Sequence, residues 1–185
     1  IKKERGRRII FTMHSSEYGR NGNHHGNGNI KDLEWYGTYI AHRVTVCTQT
    51  MKNEIKDLYR VPDDKIRVVH NGIHAWKFDG FVDAWQDVKK WYGFSLYDPL
   101  VTFVGRMEYQ KGPDLLLEAI PDVLKDFPNA KFIFIGDGSM RHALEGRTWQ
   151  MGLQHAVKFL GYVSDEWKTK VMKASDVVVV PSRNE

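Results

Sequence analysis

The sequence predicts an α/β protein built from two parallel-sheet units, and three observations carry that prediction. From residue 99 onward, short apolar runs rich in Val, Ile and Phe alternate with amphipathic stretches of about 10 to 15 residues. Residues 9–73 show a looser form of the same alternation. Near residues 74–82 the periodicity fades. Strands separated by helices are joined by right-handed crossovers, which makes each sheet parallel. The break divides the chain into an expected unit over 1–76 and a second over 77–185.

In the first unit, "RRIIFTMH" reads as a strand and "SSEYGRNGNHHGNGN" as one long polar Gly/Asn loop. The helix "IKDLEWYGTYIAH", the strand "RVTVC", the helix "TQTMKNEIKDLYR" and the strand "KIRVVHNGI" follow. Little in the 14–29 loop can be buried, so ordering it costs entropy, and it is expected to be mobile. In the second unit, "LVTFVG" is a continuous apolar run of the kind that forms a buried strand. "PDLLLEAIPDVLKDF" has helical spacing, with Pro113 suited to a first turn. Pro121 lacks an N–H for the preceding turn and should kink or break this helix. The strand "AKFIFIG", the helix "GSMRHALEGRTWQMG" and the strand "AVKFLG" come next. A helix "SDEWKTKVMKA" capped by Ser164 and a strand "DVVVVP" complete the pattern.

Composition narrows the class. At 185 residues, 42% hydrophobic and 27% charged, the chain has an ordinary globular balance and enough length for a core. No apolar run is long enough to span a bilayer, and the apolar stretch of "IKKERGRRIIFTMHSS" is too short for a secretory leader. The single cysteine, Cys47, cannot form an internal disulfide and fits a reducing compartment, so a cytoplasmic location is expected. Residues 1–97 carry 16 Lys/Arg against 11 Asp/Glu, and residues 98–185 carry 11 against 12. Much of the basic excess sits in "KKERGRR", which reads as a solvated segment. No recognition helix or aromatic RNA platform accompanies it, so nucleic acid is not an expected partner.

The turn "GRMEYQKGP" after the first strand of the second unit is the clearest candidate site. Ligands of open parallel sheets sit at the carboxyl ends of strands, where helix N-termini point unpaired N–H groups. Gly105 allows close backbone approach, while Arg106 and Lys111 supply a bidentate fork and a mobile point charge. That combination suits a diphosphate, although spacing alone fits two ordinary surface cations equally well. A P-loop is absent, and Arg141 occupies the third glycine position of a GxGxxG pattern in "GDGSMR", which argues against a nicotinamide or flavin dinucleotide. Gly136 and Gly138 still permit a nucleotide to lie close to that turn. His24 and His25 lack the spacing of a metal site.

Taken in order, "TMHSSEYGRNG", "NGI", "VGRMEYQKGPDLLLEAI", "FIGDGSM", "FLGYVSDE" and "ASDVVVVPSRNE" resemble the motifs of retaining glycosyltransferases of group 1 (family 4), including glycogen and starch synthases. The resemblance runs from about residue 9 to the end. It implies a GT-B fold, with two Rossmann-like domains facing across a cleft and the nucleotide-sugar donor on the second. Arg106 and Lys111 then inherit contacts to the donor diphosphate, and Glu185 a contact to the transferred sugar. His14 matches a histidine facing that sugar, and Tyr162 a residue near the base. Tyr162 reads equally as a buried aromatic at a strand end. Ser15, Ser16, Glu17 and Arg20 fall on the acceptor-side loop. The resemblance implies glucose transfer from UDP- or ADP-glucose to a glycan or other hydroxyl acceptor, with no metal and no resident cofactor.

Two departures qualify it. His74 stands where "NGID" versions carry aspartate. The sequence also ends at Glu185, whereas family members continue into Pro-Phe-Gly and a second glutamate that contacts the ribose. The resemblance therefore implies the central part of a larger enzyme, with both units truncated and self-association expected through exposed edges. A nucleotide-sugar or glucan binding module without turnover is the alternative reading.

Overall fold

The computed structural model describes residues 6–20, 26–80 and 84–183. Contacts divide the chain between Ile73 and His74, three residues before the boundary read from the sequence.

In the first unit, strand β1 (Ile10–Met13) is followed by a single helical turn, α1 (Glu17–Arg20), and then by α2 (Gly28–Ile40). Strand β2 (Arg43–Val46), helix α3 (Gln49–Tyr59) and strand β3 (Ile66–Val68) complete it. The strands are parallel in the order β1-β2-β3, with Phe11 opposite Val44 and Val44 opposite Ile66. Period-two alternation sends Met13, Val44, Val46 and Ile66 into a core shared with Met51 and Ile55 of α3. Helix α3 starts where Thr48 accepts a hydrogen bond from the Met51 amide at 3.1 Å, and it ends at Arg60 in the left-handed region.

The reading of 14–29 as one structureless loop is corrected on its described residues. Residues 17–20 are helical, and α2 begins at Gly28 behind an Asn27 cap that accepts from the Asn29 amide at 3.0 Å. Long-range bonds pin both ends: the Glu17 amide donates to the Glu34 carboxylate, and the Asn27 amide donates to that of Glu17. His24 and His25 lie outside the described residues.

In the second unit, a 3-10 turn (Ala75–Phe78) and helix α4 (Ala84–Trp91) precede strand β4 (Leu100–Val104). Helix α5 (Pro113–Asp126), strand β5 (Lys131–Ile135), helix α6 (Arg141–Gln150) and strand β6 (Val157–Gly161) follow. Helix α7 (Asp165–Ala174) and strand β7 (Val177–Val179) end the described chain. All pairs are parallel, in the order β6-β5-β4-β7. Both faces of this sheet are covered. Phe103, Phe132 and Phe134 pack against Leu116, Leu117 and Ile120 of α5 and Leu144 of α6. Their neighbours Ile133 and Ile135 point the other way, toward Val88 of α4 and Val171 of α7. This double cover explains why the strands read as continuous apolar runs rather than alternating ones.

One expectation needs revision here. Pro121 does not break helix α5, which continues through it with buried Leu117 and Ile120 just before it in the core. Helix α4 went unread, since only Val88 marks its buried face clearly. The adjacent Lys89 is also buried, donating to the carbonyls of Leu96 and Asp98 at 3.2 and 2.7 Å. The Ser164 cap is present, its hydroxyl accepting from the Trp167 amide at 3.2 Å. Ser164→Ala should therefore cost about 1 kcal/mol in urea unfolding, and no loss would mean the cap is idle.

Candidate functional site

In the second unit, β5 and β6 lie on one side of β4 and β7 on the other, so the strand order reverses beside β4. Such a reversal opens a crevice outside the carboxyl ends of the strands. The turn from Gly105 to Gly112 leaves β4 at this point. Arg106 is exposed, and one guanidinium nitrogen lies 3.4 Å from the Gln110 side-chain oxygen. Lys111 closes a 3-10 turn (Tyr109–Lys111), with its Cγ 3.9 Å from where a Cβ on Gly105 would stand. Helix α5 starts directly behind it, at Pro113. The sequence-predicted Gly105, Arg106 and Lys111 are thus brought together at the N-terminal end of a helix.

The turn after β5 is stitched to this one. The Met107 amide donates to the Asp137 carbonyl at 2.8 Å, and the Met140 amide donates to the Met107 carbonyl at 3.0 Å. Glu108 accepts from the Ser139 amide and hydroxyl at 2.8 and 2.7 Å, and these bonds hold its carboxyl below the usual glutamate range. Gly136 has a φ of 128°, and a Cβ there would stand 1.9 Å from the Gly105 carbonyl oxygen. Only glycine allows two loops to close up this far. Gly138 sits similarly against the Met107 carbonyl.

At the third strand end, a register shift between Phe134 and Ile135 places Gly161 rather than Leu160 opposite Ile135. Tyr162 follows at 88% exposure, which removes the buried-aromatic alternative and leaves a ring face open to solvent. Arg141, the residue that interrupts the dinucleotide pattern, bonds Asp137 at 3.1 Å and Glu145 at 2.9 Å. The Gly138 amide and then Arg141 keep the Asp137 carboxyl ionised to lower pH than usual.

Past β7, Arg183 returns to the first turn. Its guanidinium binds both oxygens of Asp114 at 2.9 and 2.6 Å and donates to the Tyr109 carbonyl at 2.7 Å. The Arg183 bond lowers the Asp114 pKa from its ordinary 3.8. A depressed carboxylate stabilises the fold above its unfolded pKa, and that contribution is lost as pH falls through the folded value. The stability advantage of wild type over Asp114→Asn should thus hold at neutral pH and fade below about pH 4. Urea midpoints at several pH values would show this, and a constant difference down to pH 3 would contradict it. Glu185 lies outside the described residues.

In the first unit, His14 is exposed at the end of β1, with Nδ1 3.2 Å from the Cys47 thiol, which in turn lies 3.4 Å from the Asn71 side-chain oxygen. Ser15 is exposed, whereas Ser16 and Glu17 are buried and committed to local partners. The Ser16 hydroxyl bonds Glu54 and accepts from the Gly19 amide at 2.8 Å. Arg20 pairs with Glu17 and Glu34 at 3.4 Å. The Tyr59 hydroxyl donates to Glu34 at 2.5 Å, and burial followed by that carboxylate pushes its pKa up. Ser16 and Glu17 therefore hold this segment onto α2 and α3. Sequence reasoning missed Glu34, Glu54, Glu108, Asp114 and Arg183, whose partners are too distant in the chain for any local pattern.

Two parallel-sheet units, the second with its strand order reversed beside a cationic turn, make this a GT-B glycosyltransferase fold. The family model "Glycosyl transferases group 1" matches residues 86–185, and the model "Glycosyltransferase Family 4" matches residues 1–76. The chain belongs to the group 1 glycosyl transferases. An uncharacterized glycosyltransferase of Methanocaldococcus jannaschii is 35% identical over 178 residues, covering 94% of this chain and 45% of that protein. A UDP-Gal:alpha-D-GlcNAc-diphosphoundecaprenol alpha-1,3-galactosyltransferase of Escherichia coli is 30% identical, covering 80% of this chain and 40% of its own. Among solved structures, Anabaena HepE in complex with UDP and glucose superposes with a TM-score of 0.80 at 17% identity, covering 98% of this chain and 48% of that one. Sucrose-phosphate synthase from Thermosynechococcus elongatus gives 0.76 at 21% identity, covering 95% and 45%. The chain spans less than half the length of these proteins. Among the described residues, no helix is long and apolar enough to cross a membrane.

Proposed function

We propose that this chain carries the donor-handling part of a retaining hexosyltransferase that moves glucose from UDP- or ADP-glucose to a glycan or other hydroxyl acceptor. The observation that carries the reading is the placement of Arg106 and Lys111 on the β4 turn, at the strand-order reversal and before the N-terminus of α5. As the bond from the sugar C1 to the diphosphate breaks, negative charge grows on the departing oxygen. Preorganised cations stabilise that charge more in the transition state than in the ground state. The new glycosidic bond forms on the same face, and the acceptor proton passes to the departing phosphate. In this scheme no protein base and no metal ion is required. With Nδ1 of His14 turned toward the Cys47 thiol, Nε2 is the nitrogen available to a sugar hydroxyl. Glu185 is assigned the sugar contact that the family motif implies. The UDP-glucose complex of HepE supports this choice of donor class.

A second reading is a module that binds a nucleotide sugar or a glucan without turning it over. Incubation with UDP- and ADP-glucose plus an oligoglucan, read by mass spectrometry of the glycan, separates the two. A hexose mass increment supports transfer. Donor binding without an increment supports the binding module. Neither binding nor increment sinks both.

A further inference from the structure

The chain after β7 has little of its own to hold it in place. Strand β7 is three residues long, pairs among the described residues with β4 alone, and is followed by a half-exposed Val180. Five contacts nevertheless tie Arg183 to the cationic turn. Its amide donates to the Gln110 carbonyl at 2.8 Å, one nitrogen donates to the Tyr109 carbonyl, and two nitrogens grip the Asp114 carboxylate. The guanidinium also lies over the Tyr109 ring, 4.0 Å from its centroid. The backbone of the same two segments meets two residues away: Gly112 has a φ of 63°, and a Cβ there would stand 2.1 Å from the Pro181 carbonyl oxygen.

An exposed ion pair is worth little. This one is different on three counts. The Arg183 and Asp114 side chains are only 21% and 23% exposed, the pair is bidentate, and the same guanidinium satisfies a backbone carbonyl. Asp114 also occupies the first turn of α5, the place where an anionic ligand would otherwise meet a like charge. Arg183 neutralises it there.

We propose that Arg183 is a positioning residue that fastens the chain after β7 to the Tyr109–Asp114 segment, so that both walls of the strand-end crevice are ordered as one unit. It acts through Tyr109 and Asp114 rather than on the reacting atoms. The ligand side of the proposal rests on the donor-site reading above; the coupling itself does not.

The test pairs amide exchange in the ligand-free chain with UDP titration, on wild type, Arg183→Ala, Arg183→Lys and Asp114→Asn. Loss of a charge-assisted pair should speed exchange at least about tenfold. In Arg183→Ala and Asp114→Asn, that rise should cover both the non-proline amides of 109–115 and those of residues 182–183, with the amides of β5 unchanged. Arg183→Lys should restore part of the protection but not all, since a point charge cannot bind both carboxylate oxygens and the carbonyl as a fork does. A rise confined to residues 182–183 in Arg183→Ala would overturn the coupling. Where wild type binds UDP, folded Arg183→Ala should bind about tenfold more weakly, and affinity within twofold of wild type would overturn the positioning role. Wild type that binds no UDP would sink the donor-site reading alone, and the exchange pattern would still decide the coupling.

Discussion

Replacing Arg106 or Lys111 by alanine should weaken UDP or ADP binding by roughly 10- to 100-fold, the equivalent of one charged hydrogen bond of about 1.5–3 kcal/mol. Transfer should suffer more, by about 10²–10³ in rate, because the diphosphate gains charge only as the bond breaks. Neither change should unfold the chain: Arg106 is exposed and Lys111 half-buried, while the turn is anchored in the core by Met107 rather than by either cation. Arg106→Lys should not recover the loss, since a fork and a point charge differ in reach and shape. Calorimetric titration with a parallel unfolding curve checks both parts. Unchanged affinity in both alanine variants would remove the diphosphate role.

Gly136→Ala should be the most damaging single methyl in the second unit. At a φ of 128° the residue occupies a region that side chains rarely adopt, and the added carbon would lie 1.9 Å from the Gly105 carbonyl. The atom in the way is backbone, in the turn that carries Arg106, so relief requires moving the site. A cost of about 3 kcal/mol or more is expected, lowering the melting temperature of the 185-residue chain by roughly 6–12 °C. Gly146→Ala, on α6 with open space around its Cβ position, is the matched control and should be neutral or slightly stabilising. Equal melting temperatures for the two variants would show that the close approach of the turns is not required.

The second unit was readable because its strands are buried on both faces. "KFIFI" needs no alternation to declare itself, and α5 buries Leu116, Leu117 and Ile120 at helical spacing, whereas α4 buries Val88 beside Lys89. That helix hid behind Lys89, a buried cation whose carbonyl partners at Leu96 and Asp98 lie beyond its own end. The cationic turn was equally readable, since Gly105, Arg106 and Lys111 fall within seven residues of one another. What holds that turn was not. Arg183 and Asp114 are 69 residues apart, and Ser16 and Glu54 are 38 apart. Their pairing depends on which strands become neighbours, which no local spacing records. The 14–29 segment misled for the same reason: its composition speaks of a loop, while the distant carboxylates of Glu34 and Glu54 hold Ser16 and Glu17 at the start of a helical turn.

The central claim is that a nucleoside diphosphate binds at the strand ends of the second unit, around the β4 turn. Amide exchange of the chain with and without saturating UDP tests it directly. The account predicts slowed exchange in 105–112 and 136–139, with little change in β1, β2 and β3. Protection confined to the first unit, or none anywhere at UDP concentrations up to the millimolar range expected of the weakest specific ligands, about 1 mM, would contradict it.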